Sequence, residues 1–314
     1  MAIGLFTPTW DPSIWLQAFR HELPEMEIRP YPELGDVADI HYAVAWLAKP
    51  GSLQGMANLK VIFSLGAGVD AILRDETIPK HIPIVRVVEP DLTHRMSEYV
   101  VMQVLMHHRQ QWRIEENQRA KNWESFDSPA AEDFRVGIMG LGVLGQDAAR
   151  KLQVLGYRVS GWSQSRKHVD GVQSFAGLGE LDEFLDQSDI LVVLLPHTAE
   201  THGILNRDLL RKLSRKGPFK APILINAGRG KLQKEEDILA CLEAGELHGA
   251  SLDVFETEPL DQASALWSHP RVHISPHSAA DSDPSHITRY IVHQIRQAEA
   301  GKALRNIVDR KRGY

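Results

Sequence analysis

Short apolar runs alternate with longer amphipathic stretches along most of the chain. Between the first two apolar runs, residues 12–23 have the hydrophobic spacing of a helix. Strand-like runs separated by helical patterns are typical of βαβ units and predict a parallel sheet. The strands predicted in this first series are Ile3–Phe6, Ile28–Tyr31, Tyr42–Trp46, Val61–Leu65 and Ile84–Val88.

A second alternating series follows a polar, proline-containing stretch that ends near Asp133. Its six strands and intervening helices match the number in a complete dinucleotide-binding fold. Between the two series, Met96–Asn117 is predicted as one long helix with an apolar first half, and Pro284–Ala300 as a terminal helix. The predicted strands are Val136–Met139, Arg158–Trp162, Ile190–Leu195, Ile223–Asn226, Ala250–Val254 and Val272–Ser275.

Composition narrows the class of protein. The 314 residues suggest about two domains, and 43% hydrophobic with 24% charged residues is ordinary for a globular chain. A net charge of −6 excludes a generally basic protein, so no nucleic-acid partner is expected. The single cysteine, Cys241, excludes an intramolecular disulfide and a cysteine-rich zinc site. His94, His107 and His108 lack a coherent ligand set, so no metal is predicted.

The N-terminal residues and the apolar runs bear on location. The chain starts without a cationic leader and without an apolar segment of signal-peptide length. The longest apolar runs, such as Ile190–Leu195, are too short to span a bilayer. We therefore expect a cytoplasmic protein that does not bind membranes.

The strongest local motif is G-x-G-x-x-G, in which Gly140, Gly142 and Gly145 are the glycines. An apolar strand precedes the motif and a helical pattern follows it, which is the context of a dinucleotide-binding loop. The first glycine permits a tight turn, the second lets the backbone approach a pyrophosphate, and the third lets helix and strand pack closely. The predicted cofactor-binding residues of this loop are Gly140, Leu141, Gly142, Val143, Leu144 and Gly145.

The end of the second strand of this fold bears on which cofactor binds. NAD-selective sites place an acidic residue there to bind the ribose 2′-hydroxyl, but Ser163 and the residues up to His168 include no carboxylate. A 2′-phosphate would instead meet hydroxyl and cationic side chains, so NADP(H) is predicted as the preferred cofactor and NAD(H) is kept as the alternative. An ordinary solvated basic turn is the structural alternative. The predicted contacts are Trp162, Ser163, Ser165, Arg166 and Lys167.

Polar residues suited to a keto acid follow three later strands. Arg229 stands between glycines after one strand, several acidic residues follow the next, and His277 comes just after Pro276 at the last. Ligands of open parallel sheets bind beyond the carboxyl ends of the strands, and a guanidinium can bind a carboxylate through two hydrogen bonds. Taken singly, each of these residues is also compatible with an ordinary loop or helix-flanking position.

The order of several motifs makes the chain resemble the D-isomer-specific 2-hydroxyacid dehydrogenase family over nearly its whole length. The motifs are G-A-G-V-D at 66–70, the glycine loop, N-x-G-R-G at 226–230, D-V-F-x-x-E-P at 253–259 and S-P-H-x-A at 275–279. The segments at 162–167, 172–177 and 308–314 are similar to those of members that reduce glyoxylate and hydroxypyruvate.

The resemblance implies a role for each matching residue. Arg229 is implied to bind the substrate carboxylate and polarise the keto oxygen, His277 to act as general acid and base, and Glu258 to orient His277. The loop Ala67, Gly68 and Val69 is implied to offer backbone N–H groups to the carboxylate, and Asp253 to face the nicotinamide. Trp46 is a further predicted substrate contact, and Leu195, Pro196 and Ala227 are further predicted cofactor contacts.

The resemblance also implies an α/β architecture of two Rossmann-like or flavodoxin-like lobes with parallel sheets and an active site in the cleft between them. Residues 1–98 and 286–314 are expected to bind substrate, residues 99–285 to bind the dinucleotide, and the protein to form a homodimer through the dinucleotide lobe. The implied reaction is NADPH-dependent reduction of small 2-keto acids such as glyoxylate and hydroxypyruvate.

Two alternatives stay open at this point. One is another D-2-hydroxyacid dehydrogenase, of the phosphoglycerate or D-lactate type. The other is a non-catalytic NAD(P)-sensing protein on the same fold, against which the intact set of Arg229, Glu258 and His277 argues.

Overall fold

The computed structural model describes residues 1–8, 10–281 and 283–314. The chain divides into two compact units, Met1–Leu92 with Asp281–Tyr314, and Thr93–Ala280. The chain passes from the first unit to the second after Leu92 and returns after Ala280, six and five residues before the predicted boundaries of 98 and 285. The first crossing falls near the start of helix α3, Pro90–His108, which begins earlier than the predicted helix because Pro90 is compatible with a first helical position.

The unit formed by Met1–Leu92 and Asp281–Tyr314 contains a five-stranded sheet in the order β2-β1-β3-β4-β5. All its strand pairs are parallel, and this order is that of flavodoxin-like folds. Its strands are β1 (Ala2–Phe6), β2 (Glu27–Pro30), β3 (Ile40–Ala45), β4 (Val61–Ser64) and β5 (Ile84–Val85), and its helices are α1 (Pro12–Glu22), α2 (Asp70–Leu73) and α9 (Pro284–Glu299).

The Thr93–Ala280 unit contains a seven-stranded parallel sheet in the order β12-β11-β10-β9-β6-β7-β8. The strand order reverses between β6 and β9, as in the dinucleotide-binding fold. The strands are β6 (Arg135–Met139), β7 (Arg158–Ser163), β8 (Gln173–Ala176), β9 (Ile190–Val193), β10 (Ile223–Asn226), β11 (Gly249–Leu252) and β12 (Val272–Ile274). The helices besides α3 are α4 (Gln111–Arg119), α5 (Val143–Val154), α6 (Leu181–Asp186), α7 (Arg207–Arg211) and α8 (Glu235–Glu243).

Both faces of this sheet are buried. In β9, Ile190 and Val192 belong to one apolar cluster, whereas Leu191 and Val193 belong to another. Side chains of a strand alternate between faces, so a continuous apolar run indicates a strand with a core on each side. The predicted fold class, α/β with two parallel sheets, is confirmed.

Two elements differ from the predictions. Strand β8 was not predicted, because Phe175 is its one fully buried side chain and the strand lacks a strong apolar pattern. The helix predicted over Met96–Asn117 is two helices, since Gln110 adopts a left-handed backbone with φ of 50° between α3 and α4. Within the described residues, no helix is both long and apolar enough to cross a bilayer.

Candidate active site

Five strands of the Thr93–Ala280 unit end at the same edge of its sheet. Because β6, β9, β10, β11 and β12 are parallel, the residues that follow them lie side by side at their carboxyl ends. The glycine loop follows β6, Arg229 follows β10, Asp253 follows β11 and His277 follows β12. Residues far apart in the sequence are therefore gathered at one edge.

The three glycines of the loop meet different surroundings. Gly140 has a φ of +116°, and a Cβ there would lie 2.9 Å from the carbonyl of Leu194. A methyl group on Gly145 would overlap the carbonyl oxygen of Gly140, whereas one on Gly142 would meet nothing within 4 Å. Gly140 and Gly145 are thus required for the packing of the protein itself, while Gly142 leaves open space above the backbone.

Helix α5 begins directly after Gly142. The first hydrogen bond of the helix is donated by the N–H of Gln146 to the carbonyl of Gly142, so the preceding N–H groups have no acceptor within the helix. Such groups, together with the helix dipole, favour an anion. Open space above Gly142, with N–H donors beside it that have no acceptor within the helix, fits the pyrophosphate of a dinucleotide.

The turn after β7 carries the predicted cationic side chains. Ser163 donates a 3.0 Å hydrogen bond to the carbonyl of Ser165, and the indole of Trp162 donates to the carbonyl of Gly177. Arg166 donates to the carboxylate of Glu180 and to the carbonyl of Ser174. Glu180 is not among the predicted site residues, because it comes from the turn after β8 and not from the segment that follows β7.

Arg229 is held in a turn that depends on its neighbours. The Asn226 side chain accepts a 3.0 Å hydrogen bond from the N–H of Gly228 and donates to Gln233. A Cβ on Gly230 would overlap the carbonyl of Phe255, which explains the glycine after the arginine. The guanidinium of Arg229 is half-buried and donates to the carbonyl of Gly228 at 2.6 Å.

Asp253 fixes the loop that carries His277. Its buried carboxylate accepts hydrogen bonds from the Ser275 hydroxyl at 2.6 Å and from the N–H groups of Ser278 and Ala279 at 2.9 and 3.1 Å. The Tyr99 hydroxyl lies 2.9 Å from Ser275 and extends this network. The resemblance implies a cofactor contact for Asp253, whereas these hydrogen bonds to the His277 loop are not evident from the sequence.

His277 and Glu258 form a hydrogen-bonded pair. Nδ1 of His277 lies 2.8 Å from Oε2 of Glu258, and the other oxygen of Glu258 accepts from the N–H of Phe255 at 3.0 Å. Burial raises the pKa of the Glu258 carboxyl, but the hydrogen bond and charge of His277 outweigh it, with further help from the charge of Arg229. The net pKa is below its ordinary value, so the carboxylate is charged at neutral pH.

The predicted substrate loop lies in the unit formed by Met1–Leu92 and Asp281–Tyr314. The Ser64 hydroxyl donates to the carbonyl of Gly68 at 2.8 Å and accepts from the N–H of Gly66. Next in the chain, the backbone N–H groups of Ala67, Gly68 and Val69 donate to no acceptor among the residues that the structure describes. Three successive N–H groups of this kind favour an anion.

Trp46 lies against this loop. A Cβ on Gly66 would overlap the six-membered ring of Trp46, so the indole covers the start of the loop. Trp10 stacks on Trp46 with ring centroids 5.2 Å apart, and Trp15 stacks on Trp10 at 5.7 Å. The position of Trp46 is thus fixed by two further indoles, a contact that the sequence analysis did not predict.

Two of the three histidines for which no metal is predicted, His107 and His108, have structural contacts. His107 is buried with Nε2 2.8 Å from the Ser251 hydroxyl, and His108 contacts the hydroxyl of Tyr157. Among residues 1–8, 10–281 and 283–314, no three histidine, cysteine, aspartate or glutamate side chains are grouped closely enough to hold a metal ion.

The chain is similar to known proteins of one family. Residues 101–279 match the family model described as D-isomer specific 2-hydroxyacid dehydrogenase, NAD binding domain. A protein of Klebsiella pneumoniae named glyoxylate/hydroxypyruvate reductase A is 42% identical over 319 residues, with 100% of each chain covered.

Solved structures are also similar over the whole chain. An NADPH-dependent glyoxylate/hydroxypyruvate reductase from Sinorhizobium meliloti, in complex with NADP and sulfate, is 44% identical with a TM-score of 0.96, covering 100% of both chains. A probable 2-hydroxyacid dehydrogenase from Rhizobium etli, in complex with NADP, HEPES and L(+)-tartaric acid, is 43% identical with a TM-score of 0.94, covering 100% of this chain and 99% of that one.

Proposed function

Because this chain belongs to the D-isomer-specific 2-hydroxyacid dehydrogenase family, we propose that it reduces small 2-keto acids with NADPH, with glyoxylate and hydroxypyruvate as substrates. The observation that carries the proposal is the 2.8 Å contact between His277 and Glu258 at the sheet edge where the glycine loop also lies. Reduction of a keto group produces an alkoxide, which needs a proton donor at that edge.

The residues present fit a dinucleotide cofactor. We assign the pyrophosphate to the loop from Gly140 to Gly145, where the space above Gly142 is open. When bound, NADPH supplies the hydride that is added to the keto carbon. The remaining cofactor contacts that we propose are Trp162, Ser163, Ser165, Arg166, Lys167, Leu195, Pro196, Ala227 and Asp253.

His277 supplies the proton in this proposal. Its Nδ1 is directed to Glu258, so Nε2 is the atom that transfers a proton to the substrate oxygen. The carboxylate of Glu258 accepts the hydrogen bond from Nδ1 and fixes the plane of the ring. In the reverse direction, the same nitrogen accepts the proton of the hydroxy acid.

Arg229 binds the carboxylate of the substrate and stabilises the charge that develops on the keto oxygen. A guanidinium presents a rigid fork of donors that matches a carboxylate, and the turn around Gly230 fixes its backbone. We also assign the backbone N–H groups of Ala67, Gly68 and Val69 as substrate contacts, because they are unpaired within the described structure. Trp46 beside them restricts the size of the keto acid.

We further propose that two copies of the chain associate through the Thr93–Ala280 unit. Residues 122–130 contain no helix or strand and carry Trp123, whose side chain is fully exposed. Met102 of α3 and Ile114 of α4 are also exposed. Contiguous exposed apolar patches mark interaction surfaces, and these three side chains are the ones that we propose to form such a patch. Light scattering on the wild type and on Trp123→Ser tests the proposal: a dimer weakened by the substitution supports it, and a wild-type monomer contradicts it.

A substrate panel tests the reaction itself. Purified protein is assayed with NADPH and with NADH against glyoxylate, hydroxypyruvate, pyruvate and 2-ketoglutarate, with loss of the reduced nicotinamide absorbance as the signal. We expect turnover with NADPH and the two- and three-carbon acids. Absence of turnover with every acid, despite measurable NADPH binding, would identify a nucleotide-sensing protein instead.

A further inference from the structure

The side chain of Glu180 links the turn after β7 to the end of β8. One carboxylate oxygen accepts a 2.8 Å hydrogen bond from the N–H of Ala176, the last residue of β8, and the other accepts from the guanidinium of Arg166. Arg166 also donates, through its other terminal nitrogen, to the carbonyl of Ser174 within β8. Arg166 is therefore hydrogen-bonded at two points, the carbonyl of Ser174 and the carboxylate of Glu180. The N–H of Ala176 in turn fixes that carboxylate.

These two hydrogen bonds restrict a side chain that would otherwise be mobile. The Arg166 side chain is 58% exposed, and a long exposed side chain loses conformational freedom when it binds a ligand, which weakens binding. A guanidinium has five N–H donors, so the contacts with Glu180 and Ser174 leave donors for an anion. The Arg166 side chain is thus already restricted in the folded protein, so less conformational freedom is lost when a ligand binds.

We propose that Glu180 is a positioning residue that sets the preference for NADPH over NADH by holding Arg166 in place for the 2′-phosphate. This inference rests on the proposed function, which assigns the 2′-phosphate to Arg166 and its neighbours. The carboxylate of Glu180 by itself repels a phosphate. Glu180 favours phosphate binding only while Arg166 is present, because Arg166 neutralises the carboxylate and is oriented by it. The proposal can therefore be tested by removing Glu180 with and without Arg166.

The test is a double-mutant cycle read as the ratio of kcat/KM for NADPH to kcat/KM for NADH. With Arg166 present, Glu180→Ala is expected to lower this ratio by about two- to tenfold, through a higher KM for NADPH. In the Arg166→Ala background the same substitution is expected to raise the ratio, because it removes an unpaired carboxylate that repels the phosphate. Equal losses in both backgrounds, or an unchanged ratio with Arg166 present, would overturn the proposal.

Two further variants separate positioning from a general loss of structure. Glu183→Ala removes a carboxylate from α6, where the side chain is exposed and contacts Gln187 at 3.4 Å, so the ratio is expected to stay at the wild-type value. Glu180→Gln keeps an acceptor oxygen without the charge and is expected to lower the ratio less than Glu180→Ala. A Glu183→Ala effect as large as that of Glu180→Ala would contradict the assignment to Glu180.

Direct binding gives a readout that needs no turnover. Calorimetric titration with 2′,5′-ADP and with 5′-AMP compares ligands that differ in the 2′-phosphate. Glu180→Ala is expected to weaken 2′,5′-ADP selectively; equal weakening of both ligands counts against the proposal. If Arg166→Ala changes neither the preference for 2′,5′-ADP over 5′-AMP nor the ratio of kcat/KM values for NADPH and NADH, the proposed cofactor assignment fails. If Arg166→Ala lowers both quantities and Glu180→Ala lowers neither, only the positioning proposal fails.

Discussion

The backbone carbonyl of Asp253 accepts a 2.8 Å hydrogen bond from the N–H of His277. The carboxylate of the same aspartate accepts from the two residues that follow, Ser278 and Ala279. His277 has a left-handed backbone with φ of 54°, an uncommon conformation for a residue with a side chain. Asp253 therefore holds the turn from both its main chain and its side chain, and directs the imidazole toward Glu258.

Removal of the imidazole tests its proposed role as proton donor. We expect His277→Ala to lower kcat for glyoxylate reduction by about 100- to 10,000-fold, the range found for general acid catalysts, while NADPH binds normally. Steady-state kinetics and NADPH fluorescence titration measure the two quantities. Turnover within about threefold of wild type would remove His277 from the mechanism.

The contact between Glu258 and His277 predicts a loss of turnover when the carboxylate is removed. Because Oε2 of Glu258 lies 2.8 Å from Nδ1 of His277, Glu258→Gln is expected to disturb the placement of the imidazole and to lower kcat, while NADPH binds normally. Steady-state kinetics and NADPH fluorescence titration of both proteins provide the comparison. A kcat equal to that of the wild type would show that Glu258 does not position His277.

The cationic turn after β7 predicts cofactor selectivity. Arg166→Ala and Lys167→Ala are each expected to raise the KM for NADPH by about tenfold and to leave the KM for NADH near the wild-type value, since a hydrogen bond to a charged group is worth roughly 1.5–3 kcal/mol before solvent screening. Initial rates at saturating glyoxylate give both constants. Equal effects on the two cofactors would argue against a 2′-phosphate site.

Two glycines of one motif are expected to respond differently to alanine. At Gly142 a methyl group has open space in the protein, so Gly142→Ala is expected to keep the wild-type unfolding temperature and to lose NADPH affinity. At Gly145 a methyl group would overlap the carbonyl of Gly140, so Gly145→Ala is expected to be destabilised even without cofactor. Thermal unfolding and NADPH titration distinguish the two outcomes. A destabilised Gly142→Ala protein with normal affinity would contradict this division.

Buried histidines predict a loss of stability in mild acid. Burial lowers the pKa of His107 to about 3 and that of His248 to about 4, below the value of about 6.5 in an unfolded chain. As the pH falls below about 6.5, the unfolded chain takes up protons that the folded protein does not, so the free energy of unfolding falls. Between pH 7 and pH 5 each such histidine is expected to cost about 2 kcal/mol.

The variant His107→Gln isolates one of these contributions, because glutamine does not titrate and offers a hydrogen-bonding group to Ser251. Urea unfolding at pH 7 and pH 5 is expected to show a smaller decrease in stability for the variant than for the wild type, by about 2 kcal/mol. The same decrease in both proteins would mean that His107 is protonated in the folded state or makes no difference to the titration.

The elements that could be predicted from the sequence are those marked by a pattern in neighbouring residues. Every strand of the two sheets except β8, the glycine loop and the family were predicted, because continuous apolar runs and ordered motifs are local signals. The α/β class and the family are confirmed. The residue roles stay predictions, although His277 and Glu258, which the resemblance paired, lie in hydrogen-bonding contact.

What the sequence missed depends on contacts between distant residues. Glu180 is 14 positions from Arg166, and only the pairing of β7 with β8 brings its carboxylate to the cationic turn. The break at Gln110 has no glycine or proline to mark it, so the helical pattern appeared continuous. The hydrogen bonds of Asp253 to residues 275–279 require β11 and β12 to be neighbours.

The tryptophans stacked at Trp46 have an optical consequence. Trp10, Trp15 and Trp46 have ring centroids 5.2 and 5.7 Å apart along the stack, a separation at which indoles exchange excitation energy. A molecule that alters the surroundings of Trp46 at the 66–69 loop is therefore expected to change the emission of the group. The protein thus contains its own spectroscopic reporter, with which occupancy of that loop can be followed without a label.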